Sequence, residues 1–209
     1  MLHHIQLSAT PGMWRLFAIR KADSAFLDFA NKILERDKYT CQFCGFQAKQ
    51  YQEIVNLDHN YLNNKNTNLV TACCFCTQCF FLEAVGKNEY GGGTLIYLPE
   101  ISQNELNGLC HVLFCAIANA TSYQTDAQNI YRTLKSRSKI VEQKLGEGMH
   151  NPTLLGQMLI DGHINDHETT SNEILKDLRL LPSHEKFSEQ IKTWANAALE
   201  ESSDQKEIK

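Results

Sequence analysis

The chain has 209 residues, 43% of them hydrophobic and 21% charged, with 20 basic against 24 acidic residues and a formal charge of −4. This is an ordinary globular profile for one large or two small domains, and it supplies no global basic field that would hold nucleic acid. The longest apolar run, around Gly108 to Ala120, is interrupted by His111 and Asn119 and falls short of the ~18–20 residues of a membrane span.

The first 22 residues alternate weakly (Ile5 and Leu7, then Trp14, Leu16 and Ala18) around Pro11-Gly12, which predicts an extended arm or hairpin. They lack the basic-then-apolar layout of a secretory signal, so a cytoplasmic chain is expected. Asp23 or Ser24 can cap a helix with Phe26, Phe29, Ala30, Ile33 and Leu34 on one face, ending near Arg36 to Lys38. Ile54 to Leu57 reads as a short strand and Asn63 to Asn68 as polar loop. A second helix is expected to start inside the cysteine-rich stretch at 73–79 and to carry Phe80, Phe81 and Ala84. Gly91-Gly92-Gly93 is followed by no Lys-Ser/Thr, so it reads as a hinge rather than a phosphate cradle, and a short strand from Thr94 to Leu98 comes next. From there the periodicity is helical. Ser102 and Glu105 form a capping box before Leu106, Leu109, Cys110, Leu113, Phe114 and Ile117. One helix is predicted from about Asp126 to Leu145, and another after the cap and first-turn proline Asn151-Pro152. Two more follow, around Asn172 to Arg179 and from about Ser183 to Glu200. Residues 201–209 have almost nothing to bury. The expected organisation is an N-terminal module over 1–100, a helical region over 101–200 and an unstructured tail over 201–209.

Eight cysteines stand out, six of them between Cys41 and Cys79. In a reducing compartment, paired cysteines are more often metal ligands than disulfides. Cys41 and Cys44 form one C-x-x-C. The stretch Cys73-Cys74-Phe75-Cys76-Thr77-Gln78-Cys79 offers two overlapping pairs, Cys73/Cys76 and Cys76/Cys79, and spacing leaves both open. Two such pairs about 30 residues apart suit a tetrahedral Zn²⁺ with four thiolates at ~2.3 Å, and Gly45 suits the positive φ of a knuckle. A zinc ion with four protein ligands has no position for water or substrate, so it would hold structure rather than perform chemistry. Cys110 and Cys115 read as core thiols. His163, Asp166 and His167 could ligate a metal on a helix, but the polar run around them reads as loop. Trp194 is expected in the core, or as an anchor for a partner if its face is exposed.

The segment from Arg36 to Cys76 resembles the HNH endonuclease module of the zinc-knuckle type. The residues that carry the resemblance are Arg36-Asp37, Cys41/Cys44, Asp58-His59, Asn68-Leu69-Val70 and Cys73/Cys76. It implies a ββα-type zinc-knuckle module followed by a mainly α-helical half, an α+β chain overall, with Zn²⁺ on Cys41, Cys44, Cys73 and Cys76. In an active member, the residue at His59 would be the general base, that at Asp58 a ligand of the catalytic divalent metal and that at Asn68 a loop-holding residue. Departures from the pattern favour a nuclease site that has been lost. Thr77 stands where a His or Asn ligand is usual, and Phe80 where a lysine is usual. Between Cys41 and Leu98 three lysines face four acidic residues, which argues against nucleic acid as a partner. Over its full length the chain resembles an HNH-like component of the Dot/Icm (type IVB) secretion coupling complexes of bacteria. That resemblance implies a cytoplasmic, non-catalytic adaptor beside the inner membrane. It would dock on the C-terminal region of a coupling ATPase and meet other coupling-complex subunits during effector export, touching the membrane only through the complex.

Overall fold

The computed structural model describes residues 2–162 and 174–207, with side chains described as far as Glu201. An arm without regular structure runs to Thr10, and Gly12, at φ 76°, turns it into α1 (Met13–Lys21). The expected hairpin is thus an arm followed by a helix. Trp14 and Phe17 are spaced to lie on one helical face, and both pack on Phe81, with ring centroids 5.5 Å and 4.8 Å away. Asp23 caps α2 (Ser24–Arg36) by accepting from Ala25 N at 2.9 Å. Ala30 and Ile33 of α2 pack on Ile54 and Leu69, which belong to the antiparallel pair β1 (Gln52–Asn56) and β2 (Leu69–Cys73). The register runs from Gln52 opposite Cys73 to Asn56 opposite Leu69.

After β2 the chain enters α3 (Cys74–Thr77) and then two 3₁₀ turns, Gln78–Phe80 and Leu82–Ala84, in place of the single helix the sequence predicts. From Phe75 to Leu82 no residue is more than 4% exposed, so contacts on every side, and not one amphipathic face, set the path.

The strand expected after the glycines is β3 (Gly93–Tyr97). Its partner is β4 (Leu178–Pro182), antiparallel, with Gly93 opposite Pro182 and Tyr97 opposite Leu178. The helix predicted around Asn172 to Arg179 is therefore corrected to a helical turn over 174–176 and a strand. Leu178, Leu180 and Leu181 are buried, and Arg179 turns away to donate to the Ile101 carbonyl at 2.7 Å.

Ser102 and Glu105 form the predicted capping box at the start of α4 (Gln103–Ala118). The long helix expected from 126 to 145 is two, α5 (Gln124–Ser136) and α6 (Ser138–Leu145), separated at Arg137. The Arg137 guanidinium binds both carboxylate oxygens of Glu100 at 2.7 Å and 2.6 Å. Asn151 caps α7 (Pro152–Ile160). The last helix, α8 (Ser188–Glu207), continues through a stretch whose composition suggested no structure. His163, Asp166 and His167 lie outside the described residues.

One buried cluster runs from Ile5 and Phe17 through Phe75 and Phe81 to Leu180 and Ile191, on both sides of residue 100. Among the described residues no helix is long and apolar enough to cross a membrane. Helix α7 packs tightly on the 3₁₀ turn at Gly156, where a Cβ would fall 2.3 Å from Glu83 N and 2.6 Å from the Leu82 carbonyl carbon. Gly156→Ala is expected to force α7 off the 3₁₀ turn and cost about 1–3 kcal/mol of stability, read as a lower midpoint in thermal or urea denaturation.

Candidate metal centre

Cys41 and Cys44 lie in a knuckle just after α2. Gly45, at φ 77°, closes it, with Gly45 N donating to the Cys41 carbonyl at 3.0 Å and Cys41 N to the Phe46 carbonyl at 2.8 Å. Cys73 ends β2 and Cys76 sits in α3. The knuckle is fastened to β2 by the Arg36-Asp37 pair. Arg36 donates to both oxygens of Asp37 and to the Leu69 carbonyl, while Asp37 accepts from Thr71 N at 2.9 Å. Burial raises the Asp37 carboxyl, but the hydrogen bonds from Arg36 and Thr71 outweigh it and hold the group below its ordinary range.

The four sulfurs of Cys41, Cys44, Cys73 and Cys76 lie within 4.8 Å of one another. Tetrahedral bonds of ~2.3 Å would set sulfurs about 3.8 Å apart, so the cluster is already near the size a zinc ion needs. Cys41, Cys73 and Cys76 are fully buried and Cys44 is half-buried. Burial pushes the Cys73 and Cys76 thiols well up, reinforced at both by Cys41 and Cys44 and opposed at Cys76 by its hydrogen bond with Cys73. Burial opposes ionisation of Cys41 too, yet hydrogen bonds from the other three thiols bring it well below the usual value. Burial thus works against thiolates at Cys73 and Cys76, and a divalent cation is what would let them ionise. The donor set and its size fit such an ion. Of the two overlapping pairs, Cys73/Cys76 is the one brought to Cys41 and Cys44. Cys79 instead donates to the Phe75 carbonyl at 3.3 Å, and burial pushes its thiol up to about 12.

Two contacts to the sulfurs come from the helical half. Asn107 of α4 donates to Cys76 Sγ at 3.3 Å, and His111 Nε2 lies 3.3 Å from Cys73 Sγ. His111 is stacked between Phe46 and Phe75, at centroid distances of 3.6 Å and 4.3 Å, and burial lowers its imidazole to about 3, so it is neutral at neutral pH. Gln103 extends the line. Its Nε2 donates to Asn107 Oδ1 and to the Leu180 carbonyl, both at 2.9 Å, and its Oε1 accepts from Leu180 N at 2.8 Å.

Asp58, His59 and Asn68 occupy the turn after β1. Asp58 Oδ1 accepts from Asn60 N at 2.9 Å and from Asn68 Nδ2 at 2.8 Å, and Oδ2 accepts from Asn63 Nδ2 at 2.6 Å. Asp58 N donates in turn to Asn68 Oδ1 at 3.1 Å. His59, at φ 57°, packs its ring edge-on to Phe80 with centroids 4.9 Å apart. Burial lowers its imidazole, and the charge of Asp58 opposes this without cancelling it. Thr77 is fully buried and donates to the Cys73 carbonyl at 3.1 Å, one turn back along its own helix. Among the described residues, the four cysteines are the one group of three or more potential ligands that converge.

No protein-family model matches the chain. Over 200 residues, covering 96% of the chain and 93% of the relative, it is 59% identical to the type 4 apparatus protein DotN of Legionella pneumophila. The chain belongs to the DotN family. In this DotN-family chain the sequence reading singled out the cysteines but missed Asn107 and His111. The available signal was the spacing of Gln103, Asn107 and His111, three polar residues four apart in one helix, which places them on one stripe.

Four thiolates and a divalent ion leave a net negative charge in a buried place, and N–H donors to sulfur offset it. His111→Phe keeps the aromatic stack and removes the ring nitrogen beside Cys73; Asn107→Leu keeps the volume and removes the Nδ2 donor to Cys76. Each is expected to weaken zinc binding about 10–100-fold in competition with a chromogenic chelator, with the far-ultraviolet circular dichroism of the loaded protein unchanged. Unaltered zinc transfer would show that these contacts do not support the centre.

Proposed function

We propose that Cys41, Cys44, Cys73 and Cys76 hold a structural Zn²⁺ and that the chain is a non-catalytic adaptor of a Dot/Icm-type secretion system. In this reading it is a cytoplasmic subunit of the coupling complex at the inner membrane. It docks on the C-terminal region of the coupling ATPase and serves effector protein export and, through it, virulence. The observation that carries the reading is the 59% identity to a type 4 apparatus protein across nearly the whole of both chains. Three features support the absence of catalysis. The Asp58 carboxylate is occupied by its own loop, Thr77 spends its hydroxyl on the backbone, and the module has more acids than bases. Immobilised coupling-ATPase tail is expected to retain the full-length zinc-loaded chain at physiological salt. Passage without retention would count against the partner.

A metal-dependent HNH endonuclease is the second reading, favoured by the placement of Asp58, His59 and Asn68 in one turn. Incubation of supercoiled plasmid with the chain and Mg²⁺, Mn²⁺ or Ni²⁺ separates the two. The adaptor reading expects no nicking above a protein-free control. Nicking that disappears in His59→Ala would establish the nuclease instead.

A further inference from the structure

Away from the cysteines, a cavity of about 560 Å³ opens between the β3–β4 pair and the start of α7. Lys87, Lys135, Lys186 and His150 line it, and no aspartate or glutamate does. In a chain where acids outnumber bases by 24 to 20, this is a local inversion of charge. None of the three lysines is in an ion pair among the described residues. Glu83, the carboxylate whose titration Lys87 influences, does not face the cavity. Glu142 is engaged behind it, accepting from His150 Nδ1 at 2.8 Å and from Gly148 N at 3.2 Å.

The glycines that the sequence reading left as a hinge belong to this wall. A Cβ on Gly92 would fall 2.6 Å from Lys186 Cγ and 2.7 Å from its Cβ, so the lysine stem lies directly on bare backbone. Gly93 is needed for another reason: a Cβ there would meet the Leu181 carbonyl oxygen at 2.4 Å and block the strand pair. Gly92 therefore gives room for the Lys186 stem, and Ser138 lines the same cavity.

We propose that this cavity binds a phosphate ester. Three exposed lysines border one cavity whose lining holds no carboxylate, so its mouth is positively charged and a bound anion would offset that charge. A carboxylate offers one charge, whereas a phosphate monoester brings about two charges and three acceptor oxygens to one point. The cavity volume lies in the range of small-molecule sites, roughly 300–1,000 Å³. The ester could belong to a soluble metabolite or to a lipid headgroup, which share this chemistry. The inference does not depend on the adaptor reading.

The test is calorimetric titration of the full-length zinc-loaded chain with sodium pyrophosphate at low ionic strength. Saturable binding is expected, weakened about tenfold or more in the double variant Lys135→Glu/Lys186→Glu. Gly92→Ala should lose affinity by displacing the Lys186 stem. Lys32→Glu, an equal charge change per residue on α2 and away from the cavity, should bind as the parent does. Circular dichroism of each variant confirms the fold. Flotation with vesicles of phosphatidylglycerol in phosphatidylcholine, against phosphatidylcholine alone, identifies the source. Capture lost in the double variant assigns a lipid headgroup, and pyrophosphate binding without capture assigns a soluble phosphate. The proposal is overturned by absence of saturable binding, by an equal loss in Lys32→Glu, or by tighter binding of a glutamate-rich peptide than of pyrophosphate.

Discussion

Four sulfurs gathered within 4.8 Å, three of them out of contact with water, impose the strongest constraint in this molecule. Like charges that close, in a low-dielectric place, cannot coexist without a cation and donors. Everything nearby is arranged around that fact. The knuckle after α2 and the end of β2 deliver the sulfurs, the Arg36-Asp37 pair ties those two pieces together, and α4 brings Asn107 and His111 against them from the other half of the chain. Through Gln103 the same stripe reaches the backbone of β4. The cysteine cluster and the second strand pair are thus joined by one line of buried polar groups, each of which would be costly to leave unpaired.

What the sequence made legible was local. The doubled C-x-x-C spacing, the Asp23 and Asn151 caps and the Ser102–Glu105 box each depend on residues a few positions apart, and the structure has all of them. What it hid depends on distant partners. The path of Gln78 to Ala84 follows burial on every side. Leu178 to Pro182 is a strand because β3 presents an edge to it, not because its own pattern alternates cleanly. The break at Arg137 reflects a guanidinium drawn to Glu100 across 37 positions. Within the cluster, spacing could not choose between Cys73/Cys76 and Cys76/Cys79; the turn of α3 does so by pointing Cys79 at a carbonyl of its own segment.

The loop between β1 and β2 is held by its own side chains. Asp58 and Asn68 exchange hydrogen bonds with each other, and the Asp58 carboxylate also accepts from Asn60 and Asn63, so it fastens its own loop. Charge is likewise redistributed. The module that resembles a nuclease carries an excess of acid, while Lys87, Lys135 and Lys186, from three separate parts of the chain, border a cavity without acidic lining.

The pairing of β3 with β4 also sets an order of events during synthesis. Every residue of the knuckle and of the β1–β2 pair has been made by Cys76, and this part can pair and gather its four sulfurs early. Strand β3 follows soon after, but Leu178, which pairs with Tyr97, emerges 81 residues later. At roughly 5–20 residues per second the edge of β3 waits about 4–16 s for its partner. During that interval Leu95 and Ile96, both fully buried in the finished protein, have no strand beside them. Until β4 is made, β3 is a single apolar segment without a partner, and the residues from Leu178 onward are what remove it from self-association.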